Sequence, residues 1–453
     1  MRLAVMGGGG FRVPLVYRAL STGPYAGLID TVALFDTDPG RLAAIRAVLA
    51  AMPGCESPPA VESFTDPEPA MEGADVVFAA IREGSTAGRI LDERVALDLG
   101  VLGQETTGAG GISYALRSIP RMLELARILA RVSPDAWLIN FTNPAGMVTE
   151  ALQGVLGGRA IGICDSPIGL VRRAARAAGF ALADGSLSGV DYLGLNHLGW
   201  LRGLHDDDGD HLPGLLADAG RLAGFEEGRL FGPELPKLLG CLPNEYLFYY
   251  YSRREALAGI RSGAATRGES IHAQQQDLYP RLASAGAGAY RLWDAARRSR
   301  EEGYLAEARG RGEDRDEADL AGGGYEQVAL AAMSALLRDE PTELILNVPN
   351  AGTVAALPGR AVIEVPCRID GTGARPLPRP APTLHQLGLM SALKAVEAAV
   401  VDAAVNGSRD SALRAFTLHP LVDSAAVAGA LLSGYEHAFP ALPLLWRTQL
   451  GRR

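Results

Sequence analysis

The sequence predicts an α/β fold built on a parallel, doubly wound sheet. Short apolar runs that resemble buried strands, such as Leu3-Ala-Val-Met6, Thr31-Val-Ala-Leu-Phe35 and Ala136-Trp-Leu-Ile139, alternate with helical patterns. Repeated strand–helix units favour parallel pairing, because each helix returns the chain to the same end of the sheet. A strand-like segment at Val190-Asp-Tyr-Leu-Gly-Leu195 opens the less regular second half, and Ala- and Leu-rich helical patterns dominate from Leu384 onward.

The length and composition are those of an ordinary soluble globular protein. At 453 residues the chain is long enough for two or three domains, with 48% hydrophobic and 21% charged residues. The net charge of -9 comes from 43 basic and 52 acidic residues. Since no long basic run is present, the sequence argues against nucleic acid as a partner.

The cysteine count and the apolar segments predict a cytoplasmic, reduced protein. Four cysteines in so long a chain do not make a disulfide framework. The first residues reach a glycine run too soon for a signal-peptide apolar region. No uncharged apolar stretch reaches the roughly 18 residues of a membrane span, so no membrane association is expected.

A glycine run after the first strand predicts a dinucleotide site. Gly7, Gly8, Gly9 and Gly10 precede a helical pattern, and the second strand ends at Asp36. Glycines let the backbone approach a pyrophosphate, while the acid accepts from a ribose hydroxyl and favours NAD over NADP. Asp36 comes later than the usual spacing of about 20 residues, and the third glycine is missing. A tight turn without a ligand is the alternative.

A thiol and a carboxylate emerge together where another buried strand ends. Cys164 and Asp165 follow the apolar run Ala160-Ile-Gly-Ile163, and Asn196 and His197 follow the strand-like segment that begins at Val190. Open α/β sheets bind ligands at the carboxyl ends of their strands. Cysteine with histidine is the beginning of a divalent metal site. The alternative is a buried, inert cysteine.

Polar residues also follow the other predicted strands. Arg82 and Arg89 lie after one strand, Glu105 lies in a glycine-rich loop, and Asn143 precedes a proline after another strand. A single Asn or Arg in such a place is usually a turn former or a solvated charge, but several on one rim indicate a cleft. Two further segments are predicted as loops: residues 301–319, which are charged and punctuated by glycine, and residues 371–382, which are rich in Gly and Pro.

Six motifs together resemble glycoside hydrolase family 4, the NAD- and metal-dependent 6-phospho-glycosidases. The resemblance runs nearly end to end. The motifs are Gly103-Gln-Glu-Thr-Thr-Gly-Ala-Gly-Gly111, Asn140-Phe-Thr-Asn-Pro-Ala-Gly146, Cys164-Asp-Ser-Pro167, Gly194-Leu-Asn-His197, Pro243-Asn-Glu-Tyr246 and Glu364-Val-Pro-Cys367.

The resemblance implies a fold like that of lactate and malate dehydrogenases. Residues 1–165 would form an NAD-binding Rossmann domain, and residues 166–453 an α/β domain with antiparallel strands and C-terminal helices. It also implies a mechanism in which NAD oxidises C3 of the sugar, which acidifies the C2 proton. A base removes that proton, the aglycone leaves from C1, water adds, and the hydride returns to C3. This family is an exception to the paired-carboxylate scheme of most glycosidases.

The resemblance further assigns roles to individual residues. Cys164 and His197 match the ligands of a divalent metal, usually Mn²⁺, and Tyr246 matches the C2 base. Asp165 matches a general acid. Residues matching substrate contacts are Arg89, Glu105, Asn143, Asn196 and Arg267, of which Arg89 and Arg267 match phosphate ligands. The chain departs from the family pattern after its first glycines, at Gly10-Phe-Arg-Val13, and again just after Arg267.

The anomeric preference has conflicting cues. The Cys164-Asp165 pair is typical of the 6-phospho-α-glucosidase branch, whereas the sequence around Asn143 and at Leu418-His-Pro-Leu421 resembles the β branch. Of the two, we expect a 6-phospho-β-glucosidase first and the α enzyme second. A sugar-phosphate dehydrogenase and a non-catalytic dinucleotide sensor are alternatives of another class. The resemblance also implies a homodimer or homotetramer.

Overall fold

The computed structural model describes residues 1–303 and 324–447, and most of the loop predicted over residues 301–319 lies outside these ranges. The strands are β1 (Arg2–Met6), β2 (Thr31–Phe35), β3 (Ala60–Phe64), β4 (Val76–Ala79), β5 (Trp137–Asn140), β6 (Ala160–Gly162), β7 (Val190–Leu195), β8 (Leu198–Asp206), β9 (Gly209–Asp210), β10 (Leu242–Pro243), β11 (Thr342–Pro349), β12 (Val362–Asp370) and β13 (Gly373–Pro376).

Helices lie between and after these strands. They are α1 (Val13–Ser21), α2 (Pro39–Ala50), α3 (Pro67–Met71), α4 (Ser85–Asp98), α5 (Gly108–Val132), α6 (Ala145–Leu156), α7 (Ser166–Ala178), α8 (Leu212–Leu216), α9 (Ala219–Ala223), α10 (Glu226–Phe231), α11 (Glu234–Leu239), α12 (Phe248–Tyr251), α13 (Arg253–Ser262), α14 (Arg267–Ser284), α15 (Ala289–Glu302), α16 (Tyr325–Arg338), α17 (Leu384–Asn406), α18 (Arg409–Leu418), α19 (Ala425–Ala438) and α20 (Leu442–Arg447).

The first six strands form a parallel, doubly wound sheet in the order β3-β2-β1-β4-β5-β6. This is the strand order of the Rossmann fold, whose ligands bind where the winding reverses, between the carboxyl ends of β1 and β4. The inner strands β1 and β4 are buried on both faces, which explains their continuous apolar sequences. The predicted α/β class is therefore confirmed.

Antiparallel strands extend the same sheet beyond β6. The order continues β6-β11-β12-β7-β8-β10, with β13 paired to β12 and β9 to β8. The junction between the halves is narrow, since Asn347 of β11 pairs with Gly162 of β6 alone. A Cβ atom on Gly162 would lie 2.8 Å from the Asn347 Cβ, so only glycine fits there. The predicted division at residue 165 falls just after β6 and stays a prediction.

Two predicted loops are partly regular structure. The glycine-rich segment after Glu105 leads into α5, which begins at Gly108. Within it, a Cβ on Gly111 would lie 2.6 Å from the Thr106 carbonyl oxygen. These glycines therefore allow close packing of the backbone rather than a loop. Within residues 371–382, β13 pairs with β12 after a turn in which Gly373 has a φ of 109°. A positive φ is what glycine supplies there.

Long helices cover the sheet and join its two halves. Helix α17 begins with a capping box, in which Thr383 and Gln386 bond each other's backbone amides, and packs against α5 and α6. Buried apolar side chains from both halves belong to one hydrophobic core. No helix in the two described ranges has the length and apolarity needed to cross a membrane. The four cysteines carry free thiols.

The glycine turn after β1 packs tightly on its neighbours. Gly7 has a φ of 93°, and a Cβ there would lie 2.6 Å from the Ala80 carbonyl oxygen. A Cβ on Gly8 would lie 2.7 Å from the Leu34 Cβ and 2.8 Å from its Cα. Because the obstacle at Gly8 is the backbone of β2, it cannot be relieved by a change of rotamer. Gly8 is thus a packing residue of the turn.

Replacing Gly8 with alanine is expected to lower the free energy of unfolding by about 1–3 kcal/mol, since the methyl group overlaps β2. Urea denaturation measures the loss. Gly154→Ala in α6 is the matched control, because nothing lies within 4 Å of a methyl group there. That control is expected to be neutral or slightly stabilising. Equal unfolding free energies for Gly8→Ala and the wild type contradict this packing.

Candidate active site

The polar residues predicted on the sheet rim line one large cleft, with a volume of about 1650 Å³. This exceeds the usual pocket for one small ligand and leaves room for two. Of the residues predicted as site residues, those lining the cleft are Gly7, Gly10, Asp36, Arg89, Glu105, Asn143, Cys164, Asp165, His197, Tyr246 and Arg267. Gly8, Gly9 and Asn196 do not line it.

Asp36 closes the glycine end of the cleft. Its Oδ2 accepts a hydrogen bond of 3.0 Å from the Gly9 amide, and its Oδ1 accepts one of 3.0 Å from the Asp38 amide. Burial raises the pKa of Asp36, and these amide hydrogen bonds oppose that rise. The acid thus folds back onto the turn while still lining the cleft.

His197 lies at the tip of a tight hairpin. Leu195 pairs with Leu198, so Asn196 and His197 alone make the turn between β7 and β8, and His197 has a φ of 62°. This left-handed conformation is uncommon outside glycine, although histidine adopts it more often than most residues. The imidazole is buried, and its Nδ1 has no hydrogen-bond partner among the residues that the structure describes. Burial lowers the pKa of His197 to about 3, so the ring is neutral.

Cys164 presents a buried thiol to the same cleft, just after β6. Burial, then the charges of Glu364 and Asp165, raise the pKa of this thiol well above its usual value. A cation would reverse that balance, because a coordinating thiol is deprotonated outright. A neutral imidazole with an unpartnered nitrogen and a thiol in one cleft fit a divalent metal. In the described part of the chain no group of three or more His, Cys, Asp or Glu could hold one, so other ligands must complete it.

Tyr246 stacks directly on His197. The ring centroids are 3.7 Å apart and the planes differ by 10°. The Tyr246 backbone is fixed by Asn244, whose side-chain oxygen accepts from its amide at 3.1 Å. Asn244 in turn donates to the Ser166 hydroxyl at 2.8 Å. Asn244 thus connects the segment that carries Tyr246 with Ser166, the residue that follows Cys164 and Asp165.

The two arginines predicted as phosphate ligands line the cleft but also bind protein groups. Arg89 forms ion pairs with Glu93 at 2.8 Å and Glu105 at 2.7 Å. Arg267 donates to the carbonyl oxygens of Gly303 and Arg300, both at 2.7 Å. Their positions are therefore held by the protein itself.

Glu105 is the centre of a charged network at the rim. It pairs with Arg82 at 2.6 Å as well as with Arg89. Burial alone would raise the pKa of Glu105, but the two guanidinium groups outweigh it and lower the pKa. Glu105 is therefore an anion, and Arg82, which directly follows β4, is a further site residue.

Asn196 does not line the cleft, and its role as a substrate contact stays a prediction. Its side-chain nitrogen donates to Glu364 at 3.4 Å and its oxygen accepts from the Gly146 amide at 3.4 Å. It lines a separate cavity of about 20 Å³. His197 lines both this cavity and the cleft, whereas Asn196 lines only the cavity and supports the turn through its hydrogen bonds.

Two buried carboxylates were missed by sequence reasoning. Glu245 lines the cleft and accepts from the Ser166 hydroxyl, while Glu364 accepts from Tyr192 at 3.0 Å and from Asn347 at 2.9 Å. Burial raises the pKa of each to about 7. Both lie inside family motifs, Pro243-Asn-Glu-Tyr246 and Glu364-Val-Pro-Cys367. Their place in these motifs is the sequence feature that could have indicated them as site residues.

Family models match nearly the whole chain. Residues 4–180 match the family 4 glycosyl hydrolases, and residues 192–422 match the family 4 glycosyl hydrolase C-terminal domain. The chain is 32% identical over 375 residues to the 6-phospho-beta-glucosidase of Escherichia coli strain K12, covering 79% of this chain and 77% of that one. It is 31% identical over 394 residues to 6-phospho-alpha-glucosidase 1 of Lacticaseibacillus paracasei, covering 83% of each.

Solved structures are similar over the same extent. A 6-phospho-alpha-glucosidase from gut microorganisms, in complex with NAD and Mn²⁺, has a TM-score of 0.80 at 25% identity, covering 97% of this chain and 98% of that one. The 6-phospho-beta glucosidase of Thermotoga maritima, with NAD and glucose-6-phosphate, has a TM-score of 0.81 at 25% identity, covering 98% and 99%. The glycine turn and the Cys164 thiol and His197 imidazole that line one cleft agree with these matches. The family models and the relatives above 30% identity show that this chain is a glycoside hydrolase and belongs to family 4.

Proposed function

We propose that the chain hydrolyses 6-phospho-β-glucosides with NAD and a divalent metal, with 6-phospho-α-glucosides as the second candidate substrate. The observation that carries the proposal is the packing of Tyr246 on His197, in a cleft that Cys164 and the glycine turn also line. A plain dehydrogenase needs no such base beside a pair of metal ligands. The relatives named 6-phospho-beta- and 6-phospho-alpha-glucosidases support the substrate class.

Different residues of the cleft wall would hold the two cofactors. Gly7, Gly10 and Asp36 would hold the dinucleotide, and the acid favours NAD because a carboxylate repels a 2′-phosphate. The Cys164 sulfur and the His197 imidazole would hold the metal. Mn²⁺ is the first candidate, although a thiolate also suits softer divalent ions. When bound, NAD accepts hydride from C3 and returns it after cleavage, while the metal polarises the C2 and C3 oxygens.

Tyr246 is the proposed base for the C2 proton. A carbonyl at C3 acidifies the hydrogen on C2, which an unoxidised sugar would not release. A phenol with an ordinary pKa of about 10 is mostly protonated at pH 7, so a base role needs a cation nearby. The stacking of Tyr246 on His197 at 3.7 Å places the phenol beside the proposed metal ligand.

Asp165 is the proposed acid at the departing aglycone. It lines the cleft next to Cys164 in sequence, and as a general acid it would give a proton to the glycosidic oxygen as the C1–O bond breaks. Water then adds to the unsaturated sugar. Asn143, Arg89, Arg267 and the anion of Glu105 are the proposed contacts that orient the sugar phosphate. Asp165 is also the feature that favours the α-glucoside alternative.

Turnover in D₂O is expected to place deuterium at C2 of the released glucose 6-phosphate, because the C2 proton passes through an exchangeable group. NMR of the product measures this. Tyr246→Phe is expected to slow turnover at least about 10²-fold, as for loss of a general base. Tyr250→Phe, which does not line the cleft, is the matched control and should stay within about threefold. Hydrolysis without deuterium at C2, or net accumulation of NADH, would contradict a mechanism in which the aglycone leaves after removal of the C2 proton.

A panel of p-nitrophenyl glucosides, α and β, with and without 6-phosphate, tests the substrate class. With NAD and Mn²⁺ we expect the highest kcat/KM for the 6-phospho-β substrate and at least about tenfold less for its unphosphorylated partner, since charge-assisted hydrogen bonds to phosphate are lost. A preference for the 6-phospho-α substrate selects the second candidate. Equal rates with and without the phosphate contradict the proposed substrate class.

A further inference from the structure

Aromatic side chains from the carboxyl-terminal half donate hydrogen bonds to backbone carbonyl oxygens in and just after the glycine turn. The Tyr279 hydroxyl donates to the Gly9 carbonyl oxygen at 2.8 Å, and the Trp293 indole nitrogen donates to that of Phe11 at 2.7 Å. The Tyr325 hydroxyl donates to the Arg12 carbonyl oxygen at 2.7 Å. The turn is therefore positioned by α14, α15 and α16 as well as by its own sheet.

Helix α15 also brings Arg300 to this turn. The Arg300 guanidinium carbon lies 4.1 Å from the centroid of the Phe11 ring, and the side chain lines the cleft. Its neighbours on the helix are paired: Arg297 and Arg298 form ion pairs with Asp294 at 2.9 and 3.0 Å. Within residues 1–303 and 324–447, no carboxylate pairs with Arg300.

The charges around Arg300 are positive. Burial, and next the charge of Arg12, lower its pKa to about 9, and Arg267 and Arg89 contribute in the same direction. Half-buried guanidinium groups this close together repel one another, and a bound anion would offset that repulsion. Arg89 and Arg267 are already bound to protein groups, whereas the Arg300 guanidinium lines the cleft and lies over the Phe11 ring.

The start of helix α1 adds a second feature suited to an anion. Arg12 is its N-cap residue, and no side chain caps the first amides of the helix. Pro14 has no amide hydrogen, and the Val13 and Leu15 amides donate to the carbonyl oxygens of Gly10 and Arg12, so the helix dipole rather than free amides favours an anion here. The Arg12 guanidinium lies over the Tyr325 ring at 5.5 Å and also lines the cleft. The positive end of the helix dipole and two guanidinium groups thus belong to the wall of one cleft.

We propose that Arg300, with Arg12, binds a phosphoryl group of a ligand in this cleft. The inference rests on the proposed function, which supplies two such ligands: the pyrophosphate of the dinucleotide and the 6-phosphate of the sugar. A planar guanidinium binds either one through paired hydrogen bonds. Arg12 lies where the sequence departs from the family pattern after its first glycines. Arg300 lies in α15, which contains none of the six family motifs.

Isothermal titration of the full chain with NAD and, separately, with glucose 6-phosphate tests the assignment. Arg300→Gln is expected to raise one of the two dissociation constants about tenfold, because a charge-assisted pair is lost. A rise for NAD alone identifies the pyrophosphate, and a rise for glucose 6-phosphate alone identifies the sugar phosphate. Arg298→Gln, on the same helix but outside the cleft, is the matched control and should match the wild type.

Both dissociation constants within twofold of the wild type for Arg300→Gln overturn the assignment and leave Arg300 as a packing residue of Phe11. Should that variant fail to fold, Arg300→Lys carries the test: a threefold or larger rise in either constant supports it, and no rise overturns it. A wild type that binds neither ligand overturns the proposed function together with this inference. A wild type that binds both while Arg300→Gln binds equally well overturns the inference alone.

Discussion

The left-handed backbone at His197 is the constraint on which the rest of the site depends. A φ of 62° at a residue other than glycine costs on the order of 1 kcal/mol or more, and persists only where the surroundings determine it. Pairing of β7 with β8 fixes the two ends of the turn, and Asn196 ties it to the buried Glu364. The strain is thus held by the antiparallel sheet, and its result is an imidazole aimed into the cleft.

That constraint matters because the site draws on both halves of one sheet. The parallel half contributes the glycine turn, Asp36 and Cys164 at the carboxyl ends of its strands, while the antiparallel half contributes His197. The halves meet where Asn347 pairs with Gly162, two residues before Cys164. Asn347 also donates to Glu364, so the junction and the support of the His197 turn share one hydrogen-bond network. Misalignment at the junction would separate the thiol from the imidazole.

Local sequence predicted much of the fold and the composition of the cleft, but not its pairings. The bounds of β2 and β7 match their predicted runs, since buried strands are marked by continuous apolar residues. The pairing of β6 with β11 has no local signal, because the partners are far apart in the chain. For the same reason the turn direction that separates Asn196 from His197, and the approach of Arg300 to Phe11, could not be foreseen. The catalytic roles taken from family resemblance remain predictions.

Anomalous diffraction at the manganese absorption edge, from a crystal of the protein grown with NAD and Mn²⁺, tests whether Cys164 and His197 bind the metal together. We expect one anomalous peak within bonding distance of both the Cys164 sulfur and the His197 imidazole, next to the Tyr246 ring. A peak bound to only one of the two, or a metal site elsewhere in the molecule, would contradict it.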